Sequence, residues 1–569
     1  MIVLSGFSWR MPALLMVAFA FSPVAGQAQT VFASDSTPPP SEVSPQRLPS
    51  GPLRTWEPFP TTLRLDKPVS QDPALRPATE MPPPFLVKLD VEGKERWTDN
   101  VFLSSQRRNA DSITTVTPGL KLSERTRRLD LGLDYKLSYD QYALHDDQSG
   151  FRHSGLGLLN SELIEDRLFV DLRGSISEQS TNPNAPSEAS SRASSVNSTR
   201  VGLTSITPRW REKICDVAVT QVSLGHDESQ ILSSSAGGDR GSGTATKLNN
   251  TSSNRAKIEA SSGESFTRLL WTVSSSAAQS EQSGSGGTLT QAAQQLGLET
   301  RLSSDFGLLS SVGFDTIHGQ GIDSDKIGGV FVIGGVHWTP SPDTEIRVGV
   351  GRRYGETSPF AMIEHKLGPR TTVRVAQEVG IVSDALNQFA ALNAVQRDDQ
   401  GHFVNPFSGL IADPAGQTLT RSNAISRQET SSLMVRRAGA LDTVTLTGSL
   451  TQQEILSNAT AESGGAVGSH NSVLSLTLGW MHLMSEALSF HSQARYSDTL
   501  EVASGGKRDQ VALTLGLDYA LTETMSAGLA YDVSLSSGDQ SQTSSLLSSS
   551  SQTGDVLVNT ASLFLRRTF

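Results

Sequence analysis

The stretch Leu129-Asp130-Leu131-Gly132-Leu133-Asp134-Tyr135-Lys136-Leu137-Ser138-Tyr139 decides the fold. Its odd positions carry leucine and tyrosine, and its even positions carry aspartate, glycine, lysine and serine. Successive side chains of a β-strand point to opposite faces, so this segment has one apolar and one polar side over about eleven residues, the length a tilted strand needs to cross a bilayer. It predicts a membrane-spanning strand with lipid on one side and water on the other.

The pattern returns along the chain. Val511, Leu513, Leu515, Leu517, Tyr519 and Leu521 alternate with Ala512, Thr514, Gly516, Asp518 and Ala520, and Met525, Ala527, Leu529, Tyr531, Val533 and Leu535 form a further apolar series. Connections alternate in length. Residues 123–127, 339–343, 367–371, 438–442 and 522–525 are short, whereas 179–197, 233–253, 384–427, 458–471 and 536–555 are long. Transmembrane barrels have short periplasmic turns and longer outer loops. The alternation therefore predicts an all-β fold, a transmembrane antiparallel β-barrel with both ends in the periplasm. Counting on this rule gives about 22 strands (range 18–24) between Phe85 and Phe569, with weak segments such as 247–260 placed mainly by spacing.

Composition agrees. Of 569 residues 36% are hydrophobic and 6% aromatic, with 49 glycines, too polar for a dense core of this size but suited to a wet interior. A net charge of -11 lacks the basic footprint of a nucleic-acid binder, so no nucleic acid is expected as a partner. The single cysteine, Cys215, excludes a disulfide framework or a thiolate cluster and is expected to be a small residue of the barrel wall.

Before the strands come two other segments. Arg10, the apolar run from Met11 to Val24 and the small residues Gly26 and Ala28 predict a signal peptide over residues 1–28, cleaved after Ala28. That run is shorter than the roughly 20 residues of a membrane-spanning helix. Residues 29–84 hold more than half of the 26 prolines and read as a disordered, Pro-rich periplasmic arm, with the barrel over 85–569. At the far end Ala561, Leu563, Leu565 and Phe569 share a parity. The terminal aromatic is the expected C-terminal assembly signal for the barrel-assembly machinery, and Arg567 interrupts that apolar side while its long stem can snorkel.

The segments WTDNVFLSS (residues 97–105), SITTVTPGLKLSERTRRLDLGLDYKLSYDQY (112–142), GVHWTPSPDTEIRVGVGRRYG (335–355) and the following EHKLGPRTTVRV cover less than a fifth of the chain. Through them the chain resembles the uncharacterised outer-membrane β-barrel proteins associated with exopolysaccharide and PEP-CTERM protein-sorting systems. The resemblance implies a barrel fold and a link to surface polysaccharide export, and brings no catalytic residues.

Within the hairpin at 335–355, Ile346, Val348 and Val350 take the lipid parity, and Trp338 sits where an interfacial aromatic girdle belongs. Arg347, Arg353, Arg374 and Glu378 then point inward. They are candidate lumen residues, either a charged ladder that sets selectivity or ion pairs that hold strand register. The long connection 384–427 contains Phe403, Phe407 and Leu410, an apolar passage that suits a constriction folded into the lumen, since exposing it would be costly. The acidic tips at His145–Asp147 and Asp323–Asp325 match no spaced calcium loop.

No GxSxG, HExxH or GxxxxGK[ST] motif is present, so no enzyme, cofactor or metal is expected. The expected place is the cell outer membrane, with lipid and lipopolysaccharide as surroundings. Two functions suit such a chain: a channel or accessory component for exopolysaccharide export, working with polysaccharide and periplasmic export proteins, or a docking barrel closed to solute that recruits a periplasmic partner through residues 29–84.

Overall fold

The computed structural model describes residues 85–105, 107–180, 198–234, 250–283, 287–319, 321–398, 401–407, 412, 425–457, 470–501, 507–538 and 555–569. The expected signal peptide and Pro-rich arm lie outside them. In chain order the strands are β1 (Phe85–Thr98), β2 (Asp111–Arg125), β3 (Leu129–Tyr142), β4 (Gly150–Ile164), β5 (Leu168–Ser180), β6 (Ser198–Ile214), β7 (Ala218–Ser234) and β8 (Thr251–Ser262). Then come β9 (Leu269–Gln282), β10 (Thr288–Arg301), β11 (Phe306–Gly319), β12 (Gly329–Ser341), β13 (Thr344–Arg353), β14 (Glu356–Lys366) and β15 (Thr371–Ser383). The pair β16 (Gln396–Arg397) and β17 (Phe403–Val404) is followed by β18 (Ile425–Ala438), β19 (Asp442–Ser457), β20 (His470–Leu483), β21 (Leu488–Glu501), β22 (Lys507–Thr522), β23 (Met525–Gly538) and β24 (Val556–Thr568).

All but β16 and β17 join one 22-stranded antiparallel sheet, the number that spacing predicts. It closes on itself where β1 pairs with β24 from Asp90↔Thr568 to Thr98↔Thr560, so the first and last strands leave no open edge. The weak segment near 251–262 is a full strand, laddered to β7 and β9.

Parity holds round the wall. On β3 the even residues Gly132, Ser138, Asp140 and Tyr142 are buried within the barrel, while Tyr139 faces out, and the register carries this to Phe151 and Leu172 outside. Trp210, Trp338 and Trp480 lie exposed near the short turns, a girdle at one interface. Phe569 is exposed, and Arg567 folds its guanidinium over the Phe569 ring, 4.9 Å from the centroid. Snorkelling back over the terminal aromatic explains how a charge is tolerated on the apolar parity.

Two local expectations are corrected. Cys215 is not in the wall: it is exposed in the turn between β6 and β7 with φ 48°, where the chain needs a left-handed residue. The alternation of connection lengths also breaks on the long-loop side, mildly between β9 and β10 and most sharply between β13 and β14. β13 and β14 are joined by Tyr354-Gly355 alone, with φ 55° and 82°, the two left-handed positions of a type I′ hairpin. The Tyr354 ring is buried under the Arg353 guanidinium, which offsets the strain of a non-glycine residue there.

Candidate functional site: the lumen and its inner segment

The connection after β15 turns into the barrel. Ser383 caps a helix, α1 (Asp384–Ala394), by accepting a hydrogen bond from the Leu386 N–H at 3.4 Å. Ala385, Leu386, Phe389, Ala390 and Leu392 recur at helical spacing and are buried. Ala385, Leu386, Phe389 and Leu392 join one cluster with wall residues that point inward, including Leu156, Leu158, Val201, Leu203, Leu289 and Phe331. Burying each of Leu386, Phe389 and Leu392 stabilises the seat by roughly 1.5–3 kcal/mol. Arg173 on β5 donates to the Leu392 and Val395 carbonyls and so satisfies the end of the helix.

Beyond the helix the chain crosses to another part of the wall. The β16–β17 hairpin carries Arg397, which donates to the Asp130 carboxylate, to the Ser123 hydroxyl and to the Leu131 carbonyl at 2.7 Å. Arg125 returns a bond to the Asp398 carbonyl at 3.1 Å. Gly132 makes this approach possible: a Cβ there would lie 2.7 Å from Arg397 Cδ and 3.1 Å from Phe403 Cζ. The chain then reaches β15, where Arg374 holds the Pro406 and Phe407 carbonyls at 2.7 and 3.2 Å. Residues 384–407 are thus tied to β5, β2–β3 and β15 in turn.

Of the predicted constriction residues, Phe403 is buried in the lumen cluster, Phe407 is half-buried beside Arg374, and Leu410 lies outside the described residues. The connection is shorter than 384–427, since Ile425, Ser426 and Arg427 are already laddered in β18. The helix was not anticipated, although Ser383 followed by apolar residues at 386, 389 and 392 is a legible start signal.

The predicted lumen charges do point inward, each arginine with its own carboxylate. Arg347 pairs with Glu345 at 2.9 Å, and Arg374 with Glu364 at 3.1 Å. Arg353 grips Asp315 through Nε and Nη2 at 2.6 and 2.8 Å and covers the Phe331 ring. Glu378 is half-buried, with no ion pair among the described residues. A longer series escaped sequence reasoning: Arg96 and Arg152 share Asp140 at 3.5 and 2.9 Å, and Arg152 and Arg200 share Glu178 at 3.7 and 3.6 Å. Its members come from β1, β3, β4, β5 and β6, so only the register brings them together. Such cross-strand pairs pin register.

Another stretch of wall differs. Along β19 the inward positions are Thr443, Thr445, Thr447, Ser449 and Thr451. On β20 to β23 Ser475, Thr477, Gln493, Ser497, Thr514 and Ser534 face inward and stay half-exposed. Rings here lie flat on the wall: a Cβ on Gly516 would meet His491 Nε2, and one on Gly528 would lie 2.4 Å from Phe564 Cε1. Arg495 is exposed on this face with no ion pair among the described residues. The wall offers hydroxyls and amides to water.

A closed antiparallel barrel with an apolar outer face, an aromatic girdle and a polar interior defines the class: this is a β-barrel of the outer membrane. No family model matches the chain, and no curated protein does. Solved structures that resemble it include a mutant of the ferric enterobactin receptor PfeA of Pseudomonas aeruginosa (11% identity, 85% of this chain and 81% of that one, TM-score 0.43). The FrpB iron transporter of Neisseria meningitidis (10%, 86% and 83%, 0.36) and OccK2 of Pseudomonas aeruginosa (9%, 85% and 97%, 0.32) are others. These likenesses are too distant to bring a ligand with them.

Proposed function

We propose that the protein is an outer-membrane channel that passes hydroxyl-rich, hydrophilic solute, and that its solute class is surface polysaccharide. The observation that carries this reading is the asymmetry of the lumen. One part of the wall is sealed by the inner segment, and another, along β19 to β23, presents a solvated face of Ser, Thr and Gln side chains. Hydroxyl and amide groups exchange hydrogen bonds with sugar hydroxyls at little net cost or gain, which favours passage over retention. Glu378 apart, the inward arginines near the inner segment are each paired with a carboxylate, so they select weakly by charge.

The test is swelling of liposomes that carry the folded protein. A neutral disaccharide should enter and swell the vesicles, more slowly when Thr447 and Thr477 are both replaced by leucine. Vesicles that exclude every disaccharide would overturn the reading and favour a barrel closed to solute, whose partner should then be lost when residues 29–84 are deleted.

A further inference from the structure

The ladder between neighbouring strands stops short of the strand ends at two seams, between β4 and β5 beyond Gly155↔Ile176 and between β14 and β15, and at the second a strand end is displaced. β14 and β15 pair from Ala361↔Gln377 to Lys366↔Thr372 and no further. β14 continues beside β13 to Arg353↔Glu356, and β15 continues beside β18 to Ser383↔Ile425. Residues 356–360 and 378–383 therefore share no ladder, and Pro359, a residue that sheets place at edges, falls in the unpaired stretch.

The seam opens because the outer end of β15 leaves the wall. Val379 and Ile381 share the outward parity of Val373 and Val375, yet they are 4% and 0% exposed, in one cluster with Leu289, Phe331, Ile333 and Phe360. The Ile381 carbonyl accepts a hydrogen bond from Gln291 Nε2 at 3.2 Å, on β10, five strands away along the wall. Neighbouring ends follow. A Cβ on Gly319 would lie 3.3 Å from Ile425 Cδ1 at the start of β18, and one on Gly321 would lie 3.8 Å from Ser457 at the end of β19. The three ends lean together across the lumen toward β10 and β11.

The sequence of β15 fits a different position. If it continued along its existing register, Val379 would oppose Pro359 and Ile381 would oppose Thr357, and both would follow Val373, Val375 and Gln377 on the outward face, beside Glu429 and Arg427 of β18. Local pattern and tertiary position disagree here, and such conflicts mark functional elements. One ion pair spans the seam at its outer end: Arg427 Nη2 meets Glu356 at 2.7 Å and also Glu454 at 3.0 Å.

We propose that the outer ends of β15, β18 and β19 form a hinged flap that gates the passage, folded inward in this structure and able to zip onto β14. Zipping completes the wall and withdraws the flap from the lumen, and Arg427–Glu356 is the latch that holds the inward position. The gating rests on the channel reading above, whereas the movement does not.

The experiment traps the zipped state with a disulfide. Thr357→Cys with Ile381→Cys, in a Cys215→Ser background, brings sulfurs within bonding reach only if the seam closes. Ile363→Cys with Val375→Cys, partners in the existing ladder, is the control. On oxidation in native membranes, the control and the test pair should both cross-link, and adding Glu356→Gln should raise the test yield severalfold. The oxidised test protein should carry more current than the same protein reduced. A control that cross-links beside a test pair that does not, with or without Glu356→Gln, overturns the flap. Cross-linking with equal current in both forms overturns its role as gate. Silence of wild type and oxidised protein alike overturns the channel reading and the gating with it, while the disulfide still reports the movement.

Discussion

Two stretches of the same wall, β4–β6 with β10–β12 and β19–β23, share strand length, register and outward apolar parity, and differ on the side that faces in. The first turns Leu156, Leu158, Val201, Leu203, Leu289, Phe331 and Ile333 toward a packed inner segment. The second turns threonine, serine and glutamine toward water. Outward residues report only that lipid lies outside. Inward residues report what lies within, since an apolar inner face is stable only when something covers it.

The largest test of that contrast removes the cover. Replacing residues 384–424 by a short Gly-Ser linker should raise single-channel current roughly twofold or more, because pore section sets flux. Unchanged current would mean that the inner segment obstructs nothing and that the two stretches are functionally equivalent.

The next compares stability. Asp315→Ala strands the buried Arg353 guanidinium and should cost about 3–5 kcal/mol, read as a lower urea midpoint of the refolded barrel. His491→Ala removes a half-exposed pair with Asp518 at 2.9 Å and should cost within about 1 kcal/mol. Equal losses would break the distinction between a packed and a wet wall.

The contrast was partly legible in the sequence. In Val330-Phe331-Val332-Ile333 both parities are apolar, as in strands covered on both faces, whereas Val511 to Leu521 alternates cleanly. Strand number, closure and the inward parity of Arg347, Arg353 and Arg374 followed from period and spacing alone. The partners of those arginines did not, because Asp315 and Glu364 are set by register between strands, which a period of two does not specify. The path of the inner segment was hidden for the same reason: Arg397 finds Asp130 across more than 260 residues of chain.

Smaller effects sharpen the picture. In a Cys215→Ser background, Thr477→Cys should react with a membrane-impermeant maleimide and Leu158→Cys should resist it until the barrel is unfolded. Equal labelling would show the inner segment to be loosely seated. Gly132→Ala presses a methyl group on Arg397 and Phe403. Since the arginine stem can shift, the cost should be about 1 kcal/mol, seen as more frequent current flicker with little change in the urea midpoint.

Single-channel recording of the folded, full-length protein in a planar bilayer reads the state of the lumen. A half-filled, half-wet lumen predicts a steady basal current, stepped between levels as the inner segment and flap shift. Silence from a barrel that is correctly folded and heat-modifiable on gels would contradict it.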